Sequence, residues 1–290
     1  MTTQGTPSLP SGYDPHRTLT VRVELVRQLR RRRTLVAFGV GIALPVIVVL
    51  AVLLGPSSSG GGGFGDGDLD LVGLATGGAW NFALTMLFFG SGFLLTILAA
   101  MFLGDSVASE ASWSTLRYLL AAPVPRRRLL RSKVIVGLIL TTASLAILVL
   151  ASWVIGALAF GLNPLVSPLG GSVDVTGSWL RLLIVAGYIL VMLLIPAGLA
   201  FLMSVLTDVP LGAVGAAVVI VIVVNILDAI EALGDVRRLL PGEYTTAWVD
   251  ALAPTIDWQQ MTIGVAYAVI VFAVLISAAV LRFDRKDITS

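Results

Sequence analysis

The sequence predicts an all-α integral membrane protein: six transmembrane helices preceded by an N-terminal interfacial amphipathic helix, with both termini cytoplasmic. Three observations carry that expectation. Hydrophobic residues fill 57% of the 290 positions and charged residues 12%, a membrane balance rather than that of a soluble core. Six apolar runs are each long enough to cross about 30 Å of hydrocarbon at ~1.5 Å per residue. The basic residues gather in the head, in one central loop and in the tail, which puts all three on the cytoplasmic side and requires an even number of spans.

The charge count agrees with this topology. Cytoplasmic segments hold 16 basic and 7 acidic residues, the outer segments 3 and 10, although the whole chain carries only +2. This excess lies in short segments beside spans and not on a soluble face, which argues against nucleic acid as a partner. Cysteine is absent, so disulfides, thiolate metal sites and cysteine nucleophiles are excluded.

In chain order, residues 1–16 are rich in Thr, Gly, Pro and Ser and read as a disordered head. No signal peptide is expected, since the first apolar run begins only at Thr34. Residues 17–33 carry seven arginines. Val21, Leu25, Val26 and Leu29 share one helical face there, with Arg22, Arg27 and Arg30 elsewhere. This pattern predicts a helix lying in the interface, its arginines meeting anionic headgroups at about 1 kcal/mol each. The plainer alternative is a positive flank that only sets orientation.

Lipid leaves no partner for unpaired backbone groups, so the six spans are helices. They fall at about 34–54, 80–104, 134–160, 180–206, 211–228 and 260–281. The outer segment 55–79 contains three serines, four glycines and then Asp66, Asp68 and Asp70, a flexible linker followed by a solvated acidic loop. A calcium loop would need Glu at its twelfth position, where Gly77 stands. Residues 161–179 form a turn-rich connector. Thr207–Pro210 makes a tight cytoplasmic hairpin between the fourth and fifth spans.

Pro196 should kink the fourth span, as a packing adaptation or as a gating hinge. Asn225 in the fifth is either interhelical glue worth about 0.6 kcal/mol or a path-lining group. Gly90, Gly92, Gly212 and Gly215 permit close helix approach, within one chain or between two. The outer segment 229–259 is too polar to span yet carries apolar residues and Trp248 and Trp258, as an interfacial or re-entrant segment does. The tail is 282–290.

The central loop 105–133, DSVASEASWSTLRYLLAAPVPRRRLLRSK, holds six basic residues. Its first half has helical spacing, the two prolines at 123 and 125 break it, and Arg126 restarts a helix leading into the third span. Glu110, Ser114-Thr115-Leu116-Arg117, Leu119-Leu120, Pro123-Val124, Arg126 and Lys133 resemble the cytoplasmic loop of ABC type-2 transporter permeases. That family typically has Gly where Ser114 stands. The hydropathy layout of nearly the whole chain is similar as well.

The resemblance implies a permease subunit of an ATP-driven exporter in a cell membrane, of the bacterial inner-membrane kind. Two permeases, identical or related, would assemble with two copies of an ABC ATPase subunit. ATP and Mg would sit in that partner, with no cofactor in this chain. By position, Glu110 and Arg117 would make polar contacts to the ATPase or to the N-terminal helix. Leu116 and Tyr118 would pack into the ATPase groove, and Pro123-Val124 would set the bend. Segment 229–259 would cap the path.

The missing chemistry is consistent with a subunit that lacks a motor. Neither of the two lysines ends a phosphate-binding loop, and the one histidine, His16, lies in the head. Histidine-based proteases and triads are therefore excluded, and catalysis by this chain is not expected. No titrating group lies near a midplane, so coupling to an ion gradient lacks a carrier. The apolar wall suits hydrophobic or amphipathic cargo. The alternative is a membrane scaffold or regulatory subunit whose basic loop recruits a soluble partner.

Overall fold

The computed structural model describes residues 21–54, 71–112, 126–167 and 171–285. The head, most of the glycine-rich linker with its aspartates, and the tail beyond 285 lie outside the described residues. So do Ser114, Thr115, Leu116, Arg117, Tyr118, Pro123 and Val124.

Among the described residues, six helices are long and apolar enough to span a membrane. A short helix α1 (Val21–Leu29) leads into α2 (Arg32–Leu54), the first span. The linker ends in a brief helix α3 (Leu71–Thr76) that the sequence pattern does not announce. The second span is α4 (Ala79–Phe89), a π-helical turn (Gly90–Leu94) and α5 (Leu95–Ser112). The third is α6 (Arg126–Phe160), a helix that starts ahead of its apolar run, as the restart at Arg126 predicts. Gly161, at φ 81°, ends it, the left-handed position that glycine takes at no steric cost.

The connector departs from a purely helical chain. β1 (Leu165–Val166) and β2 (Ser172–Val173) pair antiparallel, Leu165 opposite Val173. Asn81 fixes this hairpin to α4, its side chain donating to the Val166 carbonyl at 2.7 Å and accepting the Val166 N–H at 3.0 Å. Asn81 is thus a buried structural amide whose capacity is used by the backbone.

The fourth span is α7 (Val175–Met192) and α8 (Leu194–Leu206). Asp174 caps α7 by accepting the Gly177 N–H. The break at Leu193 sits three residues before Pro196, because the proline ring crowds the carbonyl four residues earlier. In the hairpin that follows, the Thr207 hydroxyl accepts the Val209 N–H, and Pro210 opens α9 (Pro210–Asp228), where its missing donor costs nothing. Segment 229–259 folds into two 3-10 turns, Glu231–Leu239 and Ala247–Leu252, flanking α10 (Gly242–Thr245). The last span is α11 (Gln259–Asp284).

α4–α5 and α7–α8 form the centre of the bundle, with more than half of each apolar window buried; α2, α9 and α11 are mostly exposed. α8 packs against α5, α9 and α11, while α2 leans on α6. Close approaches rest on glycines: a Cβ at Gly104 would meet Val214, one at Gly137 would meet Leu103, and one at Gly90 would meet Leu148. At Gly90 the small residue therefore serves packing within the chain.

Candidate functional site

Two features stand out, one at the C-terminal end of α5 and one beside the π turn that joins α4 to α5. The first is a buried ion-pair cluster where α1, α5 and α6 meet. Glu24 and Gln28, one helical turn apart on α1, face inward and are almost fully buried. Glu110, near the end of α5, and Lys133, in the first turns of α6, are equally buried. Lys133 Nζ lies 2.6 Å from Glu110 Oε1 and 3.6 Å from Glu24 Oε1. Arg27 Nη2 bridges the same carboxylates, at 2.5 Å from Glu110 and 2.6 Å from Glu24, and Gln28 donates to Glu24 at 3.2 Å.

Two anions and two cations thus neutralise one another, the arrangement that makes buried charge tolerable. Burial pushes the Glu24 carboxyl up, but Lys133, Arg27 and Gln28 outweigh it and hold the group below the usual carboxylate range. Burial likewise pulls Arg27 down, and the carboxylates of Glu24 and Glu110 more than compensate. Beside this cluster, Asp105 pairs with Arg31 at 2.9 Å and with Arg33. Glu110 and Lys133, on either side of residues 113–125 in sequence, therefore both hold α1.

The predicted site residues divide accordingly. Glu110 contacts the N-terminal helix, one of the two partners expected for it. Leu25 is half-buried and packs on the core, whereas Arg22, Val26, Leu29 and Arg30 are exposed. The backbone of Arg126 opens α6. Arg27, expected to meet headgroups, pairs instead with Glu24 and Glu110; Glu24, Lys133 and Asp105 complete the cluster without having been assigned roles. Their sequence signals are Lys133, quoted in the loop motif, and Glu24, the lone acid within 17–33.

The second feature is a cavity of about 260 Å³ between the second, fourth, fifth and sixth spans. It lies where two helices are interrupted. Gly92 and Thr96 line it from the π turn and the start of α5, Met192 and Pro196 from the break between α7 and α8, and Asn225 from α9. Pro241 and Thr245 line it from segment 229–259. Pro196 and Asn225, separate in sequence, thus share one cavity. The π turn has its own hydrogen bond, Leu95 N–H to the Gly90 carbonyl, a widened geometry common at functional positions.

Segment 229–259 is tied down over this region by side chains from the spans. The Tyr188 hydroxyl donates to the Tyr244 carbonyl at 2.6 Å, and Tyr267 to the Leu239 carbonyl at 2.7 Å. Arg181 donates to the carbonyls of Ala251, Ala253 and Pro254 at 3.0, 2.5 and 3.2 Å. No group of His, Cys, Asp and Glu suited to a metal ion occurs among the described residues.

These features belong to a chain of the DUF2705 family, whose profile, described as "Protein of unknown function (DUF2705)", matches residues 43–289. The match begins within α2 and takes in the five later spans whole. No curated protein matches the chain.

Proposed function

We propose that this chain is the membrane-spanning permease subunit of an ATP-driven ABC exporter, forming the path for a hydrophobic or amphipathic substrate and coupled to a separate ATPase subunit. The observation that carries this reading is the ion-pair cluster at the root of loop 113–125. Glu110 and Lys133 bracket the loop and share Glu24 and Arg27 of α1. A push on the loop is passed to α5 and α6 together, and α5 continues through the π turn into the cavity wall.

Both termini and the loop lie on the cytoplasmic side by the positive-inside rule. α1 rests in that interface with Arg22 and Arg30 toward anionic headgroups. Two copies, or this chain and a relative, assemble with two ATPase subunits that hold ATP and Mg, in the bacterial inner membrane. Arg117, Tyr118 and Pro123-Val124 belong to the docking surface in this reading.

The test is co-purification of the tagged protein from its native membrane in mild detergent, followed by ATPase assay. An ATP-binding subunit should come down with it, and Arg117→Ala should release or uncouple that subunit while leaving the permease folded. If no protein with a phosphate-binding loop accompanies the chain, the permease reading fails and the scaffold reading replaces it.

A further inference from the structure

We infer that the cavity is a site for a protonated amphiphilic amine, an apolar chain with a cationic, hydrogen-bond-donating head. The inference deepens the permease reading and rests on it for physiological meaning. The argument starts from the hydrogen-bond inventory of the wall. Each hydroxyl that lines the cavity spends its proton on its own backbone: Ser91 on the Phe88 carbonyl at 3.2 Å, Thr96 on the Ser91 carbonyl at 3.1 Å, and Thr245 on the Gly242 carbonyl at 2.7 Å. What these hydroxyls can offer a ligand is lone pairs. Pro196 brings no N–H, so the Met192 carbonyl lacks its helical donor. Among the described lining side chains, the Asn225 amide alone has both a donor and an acceptor to offer.

Among the described residues, no lining side chain is charged. An anionic head would therefore enter an acceptor-rich, uncharged wall with little to stabilise it, whereas an ammonium or hydroxyl would find acceptors. The choice between those two comes from the cap. Asp228 lies one turn beyond Asn225 on the same face of α9. Its Oδ1 is buried without a hydrogen-bond donor among the described residues, and Arg237 Nε stands 3.7 Å away, beyond hydrogen-bonding reach. Arg237 also reaches toward Glu243 at 3.8 Å. Asp228 packs on Gly242, next to the lining Pro241, and among the described side chains there these three leave one negative charge in excess, which favours a cation. The volume is below the roughly 300–1,000 Å³ of drug-sized sites, so the occupant is small or inserts a single chain.

Gly92 supplies the test. It lines the cavity, and a Cβ added there meets nothing within 4 Å, so Gly92→Leu adds bulk to the cavity wall from an unobstructed Cβ. Gly39 on α2 is equally open but remote, and Gly39→Leu is the control. Binding of dodecylamine, dodecanol and dodecanoate to the full chain in a neutral detergent would be read as the shift in unfolding temperature. The pH is about 8, where the amine is protonated and the acid ionised.

The amine should bind about tenfold or more tightly than either other compound. Gly92→Leu should abolish the shift, Asn225→Leu should weaken it severalfold, and Gly39→Leu should leave it unchanged. Dodecanoate matching the amine overturns the inference, and so does a full shift in both Gly92→Leu and Asn225→Leu. Dodecanol matching the amine overturns the cationic head. The assay contains no ATPase, so its failure is distinguishable from failure of the permease reading, which is decided by co-purification.

Discussion

The carboxylate of Glu110 and the ammonium of Lys133 lie 2.6 Å apart across the base of the loop that separates them in sequence, both almost fully buried. A buried pair of this kind costs more to break than it contributes over an apolar substitute. Glu110→Ala should therefore destabilise the protein by about 3–5 kcal/mol, because it leaves Lys133 and Arg27 with less compensation. The double variant Glu110→Leu with Lys133→Met should recover much of that loss. Denaturant unfolding in mild detergent measures both, and equal losses in the single and double variants would contradict the pairing.

The cluster also sets an acid limit. Glu24 titrates below its ordinary value of 4.5 in the folded protein. Its contribution is complete above that ordinary value and is lost as pH falls through the depressed folded one. Arg27 is shifted upward from its ordinary, already high value, so its contribution is complete throughout the neutral and acid range. Unfolding temperature should fall from about pH 5 downward, and Glu24→Gln should flatten that fall while lowering stability at neutral pH. An unchanged acid slope in the variant would remove Glu24 from the cause.

Much of the fold is legible because hydropathy is a local signal. Six long apolar helices lie where the six runs are, although the second runs on to Ser112 and the third starts at Arg126, each beyond its apolar run, and Thr207–Pro210 forms the hairpin its sequence implies. The interruptions are less legible. The proline at 196 announces a break but not its position, which follows from the crowded Met192 carbonyl. The π turn leaves almost no mark, since one extra residue barely disturbs an apolar run. The ion-pair cluster is partly legible: Glu110 is marked by the loop motif, but Arg27 pairs with it across 83 positions, a distance at which no periodicity reports. The segment 229–259 reads as non-spanning from its polarity, while the tyrosine and arginine donors that hold it reside in the spans themselves.

Arg181 makes a prediction for that outer segment. Its guanidinium is buried and donates to three carbonyls between Ala251 and Pro254. Charge-assisted bonds of this kind are worth about 1.5–3 kcal/mol each net of competition with water. Arg181→Met should leave the spans intact and speed hydrogen exchange across 247–254 by at least about tenfold. Lysine should rescue little, since one ammonium cannot reproduce the fork that reaches separate carbonyls. Exchange confined to other segments would place the clamp elsewhere.

Tyr188 and Gly264 give a compensating pair. A Cβ on Gly264 would overlap the Tyr188 hydroxyl and approach Tyr244 Cβ at 3.1 Å. Gly264→Ala should therefore push the tyrosine away from the Tyr244 carbonyl, adding overpacking of about 1–3 kcal/mol to the lost hydrogen bond. Tyr188→Phe alone loses only the bond, about 1 kcal/mol. Together, phenylalanine removes the atom that the new methyl would meet. The ring carbon at 3.3 Å then needs a shift of a few tenths of an ångström only. The double variant should thus be more stable than Gly264→Ala alone, a sign reversal that independent sites do not produce. Unfolding temperatures of the four proteins measure the coupling directly, and simple additivity would separate α7 from α11 at this contact.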